Sequence, residues 1–171
     1  MKQVKAIAFF AMMVFGSVIT FAQDIAHIDV QAVYEALPAY KKAEADLEAV
    51  GKKHQEKIVS MEAEYKTFVD GVQKQLAGKS QEESQKLIVA NKYQEKDQDL
   101  QQKFQAYRQA AQEEMSAKEK ALFEPIEKRV NDAIAAAATK KGVKYVLPAG
   151  VTIYKNGGYD LFNDVKKELG L

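Results

Sequence analysis

The chain of 171 residues has no cysteine and no tryptophan, and only three prolines and two histidines. Without cysteine there is no disulfide framework, no thiol nucleophile and no lipid anchor on a new N-terminal Cys. So few prolines leave long stretches free to stay helical. His27 and His54 fall in different segments with no partner at ligand spacing, so a metal site lacks converging donors. No GxSxG elbow or P-loop occurs, and Asn156-Gly157-Gly158, lacking a Lys-Ser or Lys-Thr continuation, reads as a plain turn. Charge of one sign is missing too: 25 Lys and Arg stand against 24 Asp and Glu, a formal +1. General nucleic-acid binding needs clustered base, which this balance does not offer. Nothing in the pattern points to catalysis or to a cofactor.

Long apolar runs are as scarce, with one exception. Lys2 and Lys5 precede an uncharged run from Ala6 to Ile19, and Thr20-Phe21-Ala22 sets small residues at the −3 and −1 positions before Gln23. That order is expected of a cleaved secretory signal peptide over residues 1–22. The run falls short of the ~20 residues that span hydrocarbon. The expected product lies outside the cytoplasm and has no stable membrane insertion. Cleavage removes two bases and no acid, moving the formal charge from +1 to −1.

Three zones follow. In Ile25–Val33, Ala26, Ile28 and Val30 alternate with His27 and Asp29, the period of a strand. Asp29 suits the cap of a short helix over about Val30–Leu37, and Pro38 restarts the chain as a new helix near Ala39. From Ala39 to Thr139 three interruptions are expected: Gly51, the region from Gly71 to Ser80, and Pro125. Ala43, Leu47, Val50, His54, Ile58, Met61, Tyr65, Phe68, Val72 and Leu76 follow each other by three or four residues, a helical stripe. Gly78 suits a left-handed helix stop, and Ser80 with Glu82 and Glu83 suits the next start. A return helix then carries Leu87, Ala90, Leu100, Phe104, Tyr107, Ala111, Leu122, Ile126, Val130, Ile134 and Ala137. The third zone reads as two short strands, Val143–Leu147 and Val151–Tyr154, with Pro148-Ala149-Gly150 as the turn between them. A closing helix from Asp160 to Leu169 then presents Leu161, Val165 and Leu169 on one face.

The fold class expected is α+β: a long antiparallel helical hairpin over residues 39–140, inserted in a small β-body made of 23–38 and 141–171. Three short strands and one small helix bury too little to stand alone. Sister chains are therefore expected to share the sheet, and Ile28, Val30, Tyr145, Leu147, Val151 and Ile153 are the expected oligomerisation residues. Gln94–Lys103 holds one large apolar side chain, so the middle of the hairpin has little to zip together. Tyr65, Phe68, Tyr93, Phe104 and Tyr107, set among balanced charges, are candidate contacts for an unfolded apolar chain; packing within the seam is the plainer reading of each. Pro125 removes the bond to the carbonyl of Ala121 and is a candidate hinge. A coiled-coil spacer or adaptor of the cell envelope is the competing class.

The opening IAHIDVQAVYEALPAYKKAEADL, the long charged hairpin, the stretch LFEPIEKRVNDAIAAAATKKGVKYVL and the final YDLFNDVKKEL resemble the Skp (OmpH-like) periplasmic chaperones over essentially the whole mature chain. The resemblance implies a homotrimer with a shared β-body and three helical arms around a cavity. It further implies an ATP-independent holdase for unfolded outer-membrane β-barrel proteins, working beside the outer-membrane assembly machinery. Two features depart from the family: the mature chain is near neutral where members are often strongly basic, and Phe162 stands where threonine is common, which bears on the cap of the last helix.

Overall fold

The computed structural model describes residues 25–151 and 158–171. The expected signal peptide and the strand residues Thr152, Ile153 and Tyr154 lie outside the described residues. Strand β1 (Ile25–Ile28) leads into helix α1 (Val30–Ala36), then α2 (Pro38–Leu76), α3 (Gln81–Ala90) and α4 (Tyr93–Lys141). Strand β2 (Tyr145–Pro148), a 3-10 turn over Ala149–Val151, strand β3 (Tyr159–Asp160) and helix α5 (Phe162–Leu169) close the chain. Two compact units result: one takes in the described residues up to Tyr34 with Val130–Leu171, the other is Glu35–Arg129.

Local chemistry sets the helix ends. Asp29 Oδ1 accepts from the Ala32 amide at 3.0 Å, capping α1 as its position suggests. Pro38 occupies the first turn of α2, where its missing N–H costs no helical bond. Beyond α2, Gly78 takes φ 73°, and Ser80 forms a reciprocal cap with Glu83 at the start of α3. The Glu83 carboxyl is held below its ordinary value, first by the Ser80 amide and then by the Ser80 hydroxyl.

Two expected interruptions are absent, because α2 runs unbroken through Gly51 and α4 through Pro125, while the one expected between Gly71 and Ser80 falls after Leu76. One glycine costs a helix about 1 kcal/mol against alanine, and Gly51 faces Met115, leaving room that a larger side chain would narrow. An unexpected break appears in the return arm instead. Lys92 adopts φ 53°, and the Asn91 amide donates to the Leu87 carbonyl at 3.0 Å, so α3 and α4 are separate helices. Helix α4 is continuous through Pro125.

In the body unit the sheet order is β2-β1-β3, with both pairings parallel. Parallel partners need a long crossover, and the inserted helices supply it between β1 and β2. Pro148 is the last residue of β2, paired with Ile28, rather than part of a turn. It is tolerated because, among the described residues, β2 is an edge strand. Val151 lies in the 3-10 turn and not in a strand, and Asp160 belongs to β3 rather than to the last helix. Asp160 Oδ1 instead accepts from the Phe162 amide at 2.9 Å, capping α5 from outside and making a threonine at 162 unnecessary.

Alternation divides the sheet's two faces. Ala26 and Ile28 are buried with Val33, Val130, Ala137, Leu161, Val165 and Leu169, so α5 presents the face expected of it and α4 contributes its last turns. Ile25, with its register partner Tyr145, and Leu147 point the other way and are exposed. Gly142, at φ 69°, ends α4; its amide and that of Val143 return to the carbonyls of Thr139 and Ala138.

Polar contacts clasp the base of α4 to α5. Lys140 reaches both carboxylate oxygens of Glu168, at 2.6 and 2.8 Å. The Tyr159 hydroxyl donates to Asp164 at 2.6 Å, and Lys141 Nζ lies 3.2 Å from the other Asp164 oxygen and 4.6 Å from the Tyr159 ring centre. The Asp164 carboxyl is held below its ordinary range, first by Tyr159 and then by Lys141. Lys141 is held above its own, first by Tyr159 and then by Asp164. The aspartate's contribution is therefore present above the usual carboxylate value and lost as pH falls through its depressed folded value.

Leu161→Ala empties the centre of this core and should cost about 2–5 kcal/mol in guanidinium unfolding followed by circular dichroism. Asp164→Asn should lower the thermal midpoint at neutral pH, and its difference from the parent should vanish as both are titrated into acid, read by melts across that range.

Candidate functional site

The unit Glu35–Arg129 is built on pairing between α2 and α4. The Tyr40 and Phe123 rings meet edge to face at 5.4 Å between centroids, and Gly51 faces Met115. His54 Nδ1 lies 2.9 Å from the Tyr107 hydroxyl, and the Tyr65 hydroxyl donates to Asp97 at 2.9 Å. Phe68 meets Tyr93 edge to face at 6.2 Å, and the Tyr93 hydroxyl donates to Gln75. Numbers rise on α2 as they fall on α4, so the two are antiparallel in a single register. Every residue of the α2 stripe from Ala43 to Leu76 is buried or half-buried. The helical spacing read from sequence is the spacing of this seam.

The seam is thin. Within this unit only Leu37, Ala43, His54 and Ala111 are fully buried. Tyr65, Phe68, Tyr93, Phe104 and Tyr107 all lie in the seam and remain half-exposed. Phe68 and Tyr93 are brought together, while Phe104 lies beneath Arg108, 5.7 Å from its ring centre, and beside a cavity shared with Met61, Tyr65 and Leu100. Lys96 lies over the Phe68 ring, 5.4 Å from its centre, and all five rings remain partly open to solvent. Of the six residues expected to join subunits, Ile28 is consumed in the chain's own core and Val30 is half-buried at the start of α1. Tyr145, Leu147 and Val151 are exposed, Tyr145 at 64% and Val151 at 68%, and Ile153 lies outside the described residues.

A feature missed from sequence lies beside the seam. The stretch poor in apolar residues is rich in glutamine: Gln94, Gln98, Gln101, Gln102, Gln105, Gln109 and Gln112. At 3.6 residues per turn these seven occupy an arc of about 100° on α4, and no other residue between 94 and 112 falls in it. All seven are exposed. Three cavities of 540, 690 and 870 Å³ open between α2 and α4, and each takes at least two of these amides into its lining. The signal was available as a polar 3.6-residue period, but a search for apolar periodicity passes over it. Among the described residues no group of three or more His, Cys, Asp or Glu side chains converges as for a metal, and no helix is long and apolar enough to cross a membrane.

Comparison with known proteins places this geometry. A family model described as "Outer membrane protein (OmpH-like)" matches residues 24–169. A crystal structure from Caulobacter crescentus CB15, of a protein assigned as a candidate outer membrane chaperone (OmpH-like), matches with a TM-score of 0.66. The match covers 85% of this chain and 83% of that one at 12% sequence identity, a likeness of fold. No curated protein matches the chain in sequence.

His54 is 8% exposed, and its Nε2 has no hydrogen-bond partner, with Glu114 Oε2 3.5 Å away. Tyr107→Phe alone should therefore cost about 1 kcal/mol by leaving Nδ1 unpaired as well. Adding His54→Leu should recover that loss, since it removes both buried ring nitrogens; guanidinium unfolding of the intact chain measures the cycle.

Proposed function

The chain belongs to the OmpH-like outer membrane protein family, and on that premise we propose that it is an ATP-independent periplasmic holdase. It is exported by its cleaved N-terminal signal and assembles as a homotrimer through the β-body. Its helical arms hold unfolded outer-membrane β-barrel proteins and keep them from aggregating until the assembly machinery takes them.

One observation supports this reading above others: the α2–α4 hairpin carries a row of aromatic side chains that its own packing covers only in part. A helix pair built for its own stability would enclose such rings. Left half-open among balanced charges, they offer many weak apolar contacts to a chain that has not buried its own residues. Holding the unfolded client in preference to its aggregate shifts the equilibrium by mass action and requires no nucleotide. The exposed sheet face of Ile25, Tyr145 and Leu147, flanked by the free edge of β2, supports sharing of the body between subunits. Pro125, five residues before the division between the units at Val130, is the hinge we assign to the arm.

The test uses the mature chain. Its mass in solution should be three times that of the single chain. A stoichiometric amount should keep a urea-diluted outer-membrane barrel in solution, as followed by light scattering. Precipitation at the rate of the chaperone-free control ends the holdase reading. Stable binding of a folded envelope protein, with indifference to the unfolded one, would establish an adaptor in its place.

A further inference from the structure

We propose that the glutamine face of α4 binds the main chain of an extended polypeptide, recognising peptide N–H and C=O groups rather than side chains. The inference rests on the holdase reading and specifies what its arms hold.

The face is chemically uniform. Between 94 and 112 its arc contains seven primary amides and no charged, aromatic or aliphatic side chain. Ordinary exposed helix faces mix acids and bases, as the rest of this arm does. Each glutamine offers two donors and an acceptor, the same functional group as the peptide bond. Gln101 donates to Asp97 and Gln109 to Glu113. Gln94, Gln98, Gln102, Gln105 and Gln112 make no hydrogen bond among the described residues, so their amides are free to bond a guest.

The dimensions suit an extended chain. Eighteen residues of helix span about 27 Å, the length of roughly eight residues of strand. The cavities beside the amides carry apolar side chains, Met61, Leu100 and Phe104 in one and Val69, Val72 and Ile88 in another, together with Glu62, Glu64 and Lys103 in the first and Asp97 in the second. In the third, the buried Nε2 of His54, 3.5 Å from Glu114 Oε2, sits in the lining with Gln105, Gln109 and Gln112. The amide arc itself is neutral, and the charged groups beside it in the cavities, Glu62, Glu64, Asp97, Lys103 and Arg108, are of both signs, so the surface carries no strong selection by client charge.

The chemistry also separates unfolded from folded clients. In a closed β-barrel every backbone group is paired with a neighbouring strand. The amide face then has nothing to bond, and release follows from the client's own folding.

The test compares two labelled twelve-residue peptides of one mixed sequence, the second methylated at alternate backbone nitrogens, by fluorescence polarisation against the intact chain. The unmethylated peptide should bind roughly tenfold more tightly, the worth of one or two net hydrogen bonds. Replacing Gln94, Gln98, Gln102, Gln105 and Gln112 together by alanine should erase that gap. Alanine favours helix more than glutamine does, so circular dichroism should show the arm intact. Equal affinity for both peptides, binding of neither, or a gap that survives the replacement overturns the inference. Barrel solubility measured on the same samples separates the two readings. Protection by the parent chain without a gap removes only the backbone reading, and failure of the parent chain to protect removes the holdase reading beneath it.

Discussion

A seam two side chains wide cannot bury what it contains, and the arm follows from that constraint. Helix α2 offers one residue to α4 every third or fourth position, and within their unit only the short α3, through Ile88, adds to the lining beside the pair. Packing therefore fixes the register through many small pairings: a ring against a ring at Phe68 and Tyr93, a hydroxyl on a carboxylate at Tyr65 and Asp97, a methionine against a glycine at Met115 and Gly51. Each contributes little, and their number sustains a 39-residue helix. The same thinness leaves aromatic edges and a polar flank in solvent, which in a globular protein would be hidden or charged.

The body answers a different constraint. Its strands are two to four residues long, too short to hold by ladder bonds alone. Its stability is drawn from outside the sheet: the apolar face of α5, the last turns of α4 from Val130 to Ala137, and the Lys140, Lys141, Tyr159, Asp164 and Glu168 clasp. One helix thus belongs to both units, with its upper turns in the seam and its lowest turns in the core. Ile28 illustrates the outcome, because a residue expected to join subunits is already enclosed by its own chain. The sheet's opposite face, carrying Tyr145 and Leu147, is the part left uncovered.

What was legible in the sequence was whatever a single local interaction decides. Asp29 and Ser80 cap because an oxygen there meets a free amide within three residues, and Gly142 stops a helix because it tolerates positive φ without strain. The α2 stripe was legible because 3.6-residue spacing projects onto one side whatever lies across from it. The misreadings share the opposite cause. Gly51 continues the helix because a partner side chain occupies the space it leaves, and Pro148 ends a strand because that strand happens to lie at an edge. Lys92 is left-handed where the residue before it, Asn91, is the more tolerant type, because Asn91 spends its amide on the Leu87 carbonyl. Tertiary placement decides each of these, and no window of sequence contains it.

On the proposed reading, the amide face would let a nearly neutral arm retain a guest. Charge attracts at a distance but selects by composition, and a chain of formal charge +1 has little with which to attract. Apolar edges alone bind any greasy surface, a folded one included. Amides beside half-open rings add a requirement that only an unfolded chain meets: apolar side chains and unpaired peptide groups presented together over about eight residues. A folding barrel withdraws the second before it has buried all of the first, since strand pairing consumes backbone groups directly. On that reading retention and release would depend on the same hydrogen bonds, and the client's own folding free energy would supply the direction.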